Sequence, residues 1–226
     1  MNRFFESLIN LFFPPKCPFC GKILDTVGIC PKCERSLPWV PEEEVAFTEK
    51  DLTCAAPLWY EGAVREALLR LKFRGGSALA EPFGELLARC AAERFGGEFD
   101  TVTWVPVSQK RLEARGYDQS RLLAEQLAKE LGLPLREGVL ARDGRATAHA
   151  AEGRAARIAL AQESYRAGSR RLPPGEQILL IDDIITTGAT IEKCAGLLKA
   201  QGAGTVTAAA VLRTPRPEEK KPAEKL

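Results

Sequence analysis

Histidine is almost missing from this 226-residue chain: His149 stands alone, beside a single Met and three Trp. One histidine is no catalytic triad, and His149 reads as an ordinary exposed or helix-start residue. Net charge is also missing. Thirty-two Lys and Arg against thirty Asp and Glu leave +2, so any affinity for nucleic acid or phosphate must come from local patches. No apolar run is long enough to cross a bilayer. The opening MNRFFESLINLFFPP lacks the features of a signal peptide, because Glu6 and Asn10 interrupt its apolar run and no small-residue cleavage site follows. Phe4, Phe5, Leu8, Leu11 and Phe12 recur at helical spacing, which predicts a short amphipathic helix packed on the protein, with a membrane-surface anchor as the alternative. Nucleotide loops are absent as well: there is no Walker lysine and no Gly-x-Gly-x-x-Gly. Cysteine is present, but as an odd seven, which argues against a secreted disulfide framework and for a reducing, cytoplasmic setting.

What the chain does have is concentrated in Ile178 to Thr190, ILLIDDIITTGAT. Four apolar residues make a short buried strand, Asp182 and Asp183 follow, and Thr186-Thr187-Gly188-Ala189-Thr190 leads into a helical pattern. A strand feeding a helix through such a turn aims several backbone N–H groups and the positive helix end at one spot, where an anion is stabilised. Two carboxylates beside it would repel phosphate but accept hydrogen bonds from sugar hydroxyls or help hold a cation. The joint specification is a sugar phosphate. The plainer reading has Asp-Asp ending a strand and Thr-Thr-Gly starting a helix.

Cys17-Pro-Phe-Cys20 and Cys30-Pro-Lys-Cys33 form two Cys-x-x-Cys knuckles nine residues apart. Each can turn two thiolates towards one tetrahedral ion, so structural zinc is expected on all four, with a redox Cys-x-x-Cys as the alternative. The length suits one main α/β domain plus a small appendage. We expect residues 1–37 to be the amino-terminal helix and ribbon, 38–52 an acidic, proline-containing linker, 53–213 the main domain and 214–226 a disordered tail.

Within the main domain the pattern predicts a strand over Thr53 to Tyr60 and a helix to Phe73. A second helix runs from a Ser77 cap to Arg94, and a buried strand over Thr101 to Val107 ends at Pro106. Cys54 and Cys90 read as small buried residues. A basic loop with Lys110, Arg111 and Arg115 follows, then a helix to Leu131. A short strand is expected near Leu135 to Leu140, a helix from Ala148 to Tyr165 carrying Arg154 and Arg157 on one face, and a last strand over Thr205 to Leu212. Residues 136–171 contain eight Arg, no Lys and four acids, a composition suited to bidentate capture of phosphate. If both buried strands share one parallel sheet, the basic loop and the acid-pair loop meet at its carboxyl edge, where such sheets bind ligands. Lys72 could reach a phosphate there, or could lie at a solvated helix end.

The Asp182 to Thr190 stretch resembles the loop that binds phosphoribosyl pyrophosphate (PRPP) in type I phosphoribosyltransferases. With the Cys17 to Cys33 knuckles and the Val105-Pro106-Val107 turn followed by Arg115-Gly116-Tyr117-Asp118-Gln119-Ser120, the chain resembles the ComF family from about Phe12 to Arg213. That resemblance implies a doubly wound parallel sheet behind a four-cysteine zinc ribbon, and PRPP bound with magnesium. It implies a role in handling single-stranded transforming DNA during natural competence, with a competence helicase as a candidate partner. It places Asp182 and Asp183 as catalytic residues, and the PRPP contacts on Asp182, Asp183, Thr186, Thr187, Gly188, Ala189, Thr190, Val107, Ser108, Arg115, Lys72 and Arg157. Related proteins carry a Gln and an Asn in the segment matching Gly144 to Tyr165, where this chain has His149 and Leu160. Leu160 cannot hydrogen-bond as Asn does. Phosphoribosyl transfer to an unknown acceptor, a non-catalytic adaptor and a sensor of PRPP are the competing functions.

Overall fold

The computed structural model describes residues 14–49, 52–73, 76–143 and 164–215. After the knuckles come α1 (Pro31–Ser36), α2 (Glu42–Val45) and three short strands, β1 (Ala46–Glu49), β2 (Leu52–Ala55) and β3 (Leu58–Trp59). The chain continues through α3 (Gly62–Phe73), α4 (Ala80–Phe95), β4 (Thr101–Trp104), α5 (Gln109–Arg115) and α6 (Gln119–Leu131). It ends with β5 (Leu140–Arg142), β6 (Tyr165–Ala167), β7 (Ile178–Ile185), α7 (Ala189–Ala200) and β8 (Val206–Arg213).

β7 and β8 are the centre because they read as almost uninterrupted apolar runs, the pattern of strands covered on both faces. The sheet order is β1-β2-β8-β7-β4, with β3 also beside β8. All pairs are parallel except the edge pair β1 and β2. One face packs Leu179 and Ile181 under Leu68 and Leu71 of α3, Phe83 and Leu87 of α4 and Leu123 and Leu127 of α6. The other packs Ile178 and Leu180 under Ile191, Cys194 and Leu198 of α7. Gly84 lets α4 and α6 approach closely, since a Cβ there would lie 2.3 Å from Gln126 Cβ. Cys54 and Cys90 are buried as expected.

Several elements differ from the sequence expectation. Residues 38–52 hold α2 and the edge strand β1 where a linker was expected, because three glutamates suit the first turn of a helix and Val45 is buried. The strand expected over Thr53 to Tyr60 is split in two at Pro57, which has no N–H for a ladder. Ser77 lies inside a 3₁₀ turn, Gly76–Leu79, and α4 starts only at Ala80. The basic loop is the helix α5, started after Ser108 and ended at Gly116, whose φ of 80° suits glycine. Leu135 makes one parallel bridge to Val102 and no strand, because the chain turns away at Gly138 with φ 71°. Tyr165 belongs to β6, antiparallel to β5. The amino-terminal helix, most of the 148–165 segment with His149, Arg154, Arg157 and Leu160, and the tail beyond 215 lie outside the described residues.

Candidate sugar-phosphate site and metal knuckles

The site begins where β4 leaves β7. Trp104 pairs with Ile181, Val105 donates its N–H to the Ile181 carbonyl at 2.9 Å, and the next residue is Pro106, which has no N–H to give. β7 runs on without β4, and Asp182 and Asp183 stand in the space that opens. The departing loop is held by Asp118, the N-cap of α6. Its Oδ1 accepts from Ser120 N (3.0 Å) and Arg121 N (3.2 Å), and its Oδ2 from Val107 N (3.0 Å) and Trp104 Nε1 (3.2 Å). One carboxylate therefore fixes both the loop after β4 and the start of α6. Burial raises its pKa, and those donors pull it back.

The two acids of β7 have different surroundings. Asp183 is buried; Lys72 Nζ sits 3.0 Å from its Oδ1, and Gln119 Nε2 donates to its Oδ2 at 2.8 Å. Asp182 is half-buried, and its Oδ1 accepts from Ser120 Oγ (3.0 Å) and the Asp183 N–H (2.8 Å). No described residue donates to its Oδ2. Burial first, and then the Asp183 charge, push the Asp182 carboxyl well above the usual carboxylate range.

The turn behind them ends at Gly188, which caps α7 with φ 67°. A side chain there would also collide, since a Cβ would lie 1.9 Å from Glu49 Cγ of the edge strand. The first N–H groups of α7 have no intrahelical partner, and the helix dipole points the same way.

A cavity of about 210 Å³ joins these parts. Of the sequence-derived candidates, Lys72, Val107, Arg115, Asp182, Asp183, Thr186 and Thr190 line it. Thr187, Gly188 and Ala189 form the turn between Thr186 and Thr190, Ser108 caps α5 beside the loop, and Arg157 lies outside the described residues. The sequence places Arg111 in the basic loop at the ligand edge and Arg142 in the arginine-rich 136–171 segment without singling out either, and it does not point to Tyr165, Gln119 or Ser120, yet all five line the cavity. Arg142 stacks on the Tyr165 ring, 4.7 Å from its centroid, and bonds Ser164 Oγ at 3.1 Å. Only the pairing of β5 with β6 brings those two residues together. Gln119 and Ser120 could have been found from their place in the first turn of a helix capped by Asp118. The cavity thus has two carboxylates on its floor, Lys72 beside them, and the guanidinium groups of Arg111, Arg115 and Arg142 around it.

The second site is the knuckle pair. The sulfurs of Cys17, Cys20, Cys30 and Cys33 lie within 4.8 Å of one another, and Cys20 and Cys30 are 3.6 Å apart. Four thiolates about 2.3 Å from a tetrahedral zinc stand about 3.8 Å apart, so the set fits that ion. Backbone N–H groups prepare it. Burial opposes the Cys17 thiolate, but N–H groups of Cys30, Cys20 and Phe19 outweigh it and bring the thiol down to about 6. Cys33, buried and facing the other three sulfurs, is pushed up to about 12 until a cation is present. Cys54, Cys90 and Cys194 are buried in the main domain, away from this cluster.

A phosphoribosyl transferase domain family matches residues 118–225, and a double zinc ribbon domain family matches residues 8–45. The chain is similar to "Competence protein ComFC" of Bacillus subtilis (strain 168), 26% identical over 88% of this chain and 78% of that protein. It is also similar to "DNA utilization protein YhgH" of Shigella flexneri, 29% identical over 83% of this chain and 91% of that protein. Among solved structures, adenine phosphoribosyltransferase from Leishmania tarentolae is 15% identical over 71% of this chain and 90% of that one, with a TM-score of 0.40.

Proposed function

We propose that the chain is a ComF-family protein, a type I phosphoribosyltransferase-like α/β domain behind an amino-terminal zinc ribbon, and that it binds PRPP with magnesium and acts in natural competence, in the handling of single-stranded transforming DNA. The observation that carries this reading is the cavity itself, about 210 Å³, lined by the acid pair, by Thr186 and Thr190 of the turn and by three arginines. The ribose hydroxyls would lie on Asp182 and Asp183, the 5′-phosphate on the N–H groups from Thr186 to Thr190, and the pyrophosphate against Lys72, Arg111 and Arg115. The Asp182 carboxylate would help to hold magnesium, which would supply charge neutralisation for the pyrophosphate. As pyrophosphate departs, the ribose ring becomes positive, and carboxylates beneath it stabilise that charge while the arginines stabilise the leaving anion. Zinc on Cys17, Cys20, Cys30 and Cys33 would have a structural role, since four thiolates would leave it no open position.

The test is a PRPP titration by calorimetry with and without magnesium, combined with pyrophosphate release in the presence of a panel of bases. Magnesium-dependent binding that Asp182→Asn/Asp183→Asn abolishes supports the reading; no binding at saturating PRPP overturns it. A second reading, a non-catalytic adaptor that grips PRPP or a 5′-phosphorylated strand end while the ribbon docks a competence helicase, is favoured by one observation. Apart from Asp182 and Asp183, which this reading places on the ribose, the described lining residues include no carboxylate or histidine to act as a base on an acceptor. Binding without pyrophosphate release, together with single-stranded DNA affinity that falls steeply with salt, would select it.

A further inference from the structure

Three successive residues at the end of α3 grip three separate parts of the molecule. Arg70 Nη2 donates to the carbonyl of Pro18, which lies inside the first knuckle between Cys17 and Cys20. The Leu71 carbonyl accepts from the Tyr117 hydroxyl, in the turn joining α5 to α6. Lys72 Nζ pairs with Asp183 at 3.0 Å. At about 100° per residue, consecutive helical positions point to three different sides, and the fully buried Leu71 side chain pins the turn in the core. The chain of contacts continues past the acid. Gln119, on the other Asp183 oxygen, accepts from Arg115 Nη1 at 2.7 Å.

We propose that this turn of α3 is a strut through which the metal-loaded knuckle positions the acid pair. Arg70 is its positioning residue, acting through Lys72 and Asp183, which themselves line the cavity, while Asp182 keeps an oxygen to which no described residue donates. The physical reason lies in where each end is fastened. Pro18 is held between two ligating cysteines, so closing four sulfurs on one ion fixes its carbonyl. A planar guanidinium transmits that position to the helix with little slack. At the other end Asp183 is buried and has both oxygens taken, so a shift of Lys72 moves a charge that has no solvent to fall back on. A second contact, Phe19 edge-on to Phe83 of α4 at 5.9 Å, seats the same knuckle on the main domain. The functional meaning of the strut rests on the sugar-phosphate reading; the mechanical coupling does not.

Hydrogen–deuterium exchange on the full, zinc-loaded chain tests it without any ligand. Arg70→Ala should speed exchange by on the order of fivefold to tenfold at residues 116–120 and 182–190, both remote in sequence from the site of change, and Arg70→Lys should restore most of the protection. Arg65→Ala, at an exposed position of the same helix beside Glu66, is the control and should leave both segments unchanged. Coupling is reciprocal, so Lys72→Met should speed exchange at residues 17–22. Acceleration confined to the ribbon in Arg70→Ala, or equal in Arg65→Ala, overturns the proposal. A PRPP titration of the same proteins separates the two ideas: wild-type protein that fails to bind PRPP removes the sugar-phosphate reading and leaves the exchange result standing, while wild-type binding unchanged in Arg70→Ala removes the strut's role at the site.

Discussion

Replacing Lys72 by Met should destabilise the protein far more than the same change at a surface lysine would. Lys72 Nζ is 3.0 Å from Asp183 Oδ1, with side-chain exposures of 18% and 4%. At that separation the gross attraction is about 5 to 6 kcal/mol with an effective dielectric of about 20. The net figure is smaller, because both charges lost hydration. Charged hydrogen bonds contribute about 1.5–3 kcal/mol, and removing one partner of a buried pair costs about 3–5 kcal/mol because the other charge stays behind. Gln119 still holds the second oxygen, so we place Lys72→Met at the lower end, about 3 kcal/mol. With a urea slope of about 2 kcal/mol/M, the denaturation midpoint should fall by about 1.5 M. Adding Asp183→Asn to the Lys72→Met variant removes the stranded charge and should recover about 2 kcal/mol, so the coupling energy in a double-mutant cycle should be at least about 2 kcal/mol, larger by whatever Asp183→Asn costs alone. The measurement is urea unfolding of the zinc-loaded protein at pH 7, followed by tryptophan fluorescence. A midpoint shift under 0.5 M (taken as ~1 kcal/mol at that slope), or strictly additive substitutions, would refute the view of Asp183 as a buried, lysine-compensated charge.

Other outcomes follow from the same geometry. The carboxyl of Asp182 is raised to about 8 by burial and by Asp183, above its unfolded value, so its contribution to stability is complete below about pH 4 and is lost as pH rises towards 8. Thermal melting of the ligand-free protein should show that decline, and Asp182→Asn should flatten it; an identical pH profile in the variant would contradict the assignment. Gly188→Ala combines a positive φ of 67° with a Cβ 1.9 Å from Glu49 Cγ and should cost about 2 kcal/mol, with phosphate affinity reduced as the turn shifts; an unchanged melting temperature would show that the turn has room. One zinc per chain is expected by elemental analysis. Cys30→Ser should reduce it sharply, and equal zinc in wild type and variant would show that the four sulfurs are not the ligands.

Much of this was legible because the signal was local. The strand at Ile178 and the knuckles at Cys17 and Cys30 depend on residues within a few positions of one another, so spacing reveals them. The acid-pair loop and the break at Pro106 were found by the same logic, since a proline without an N–H must leave a ladder wherever the sheet lies. Residues 38–52 were misjudged as a linker because β1 is a strand only by virtue of pairing with β2. The arginine-rich 136–171 segment was legible as a phosphate patch, but not that Arg142 in particular reaches the site, nor that Tyr165 does, because the two are far apart in the chain and meet through the antiparallel pairing of β5 and β6.

The sequence alone determined which groups are available: four thiols in two knuckles, two adjacent acids after a buried strand, a turn able to hold an anion, and a chain too evenly charged to attract nucleic acid as a whole. Tertiary structure decided how the two acids differ. Adjacent in sequence, they sit on a strand whose side chains alternate, and Lys72 reaches Asp183 from a helix much earlier in the chain. Burial and pairing depend on what the fold brings alongside, and no local pattern encodes that.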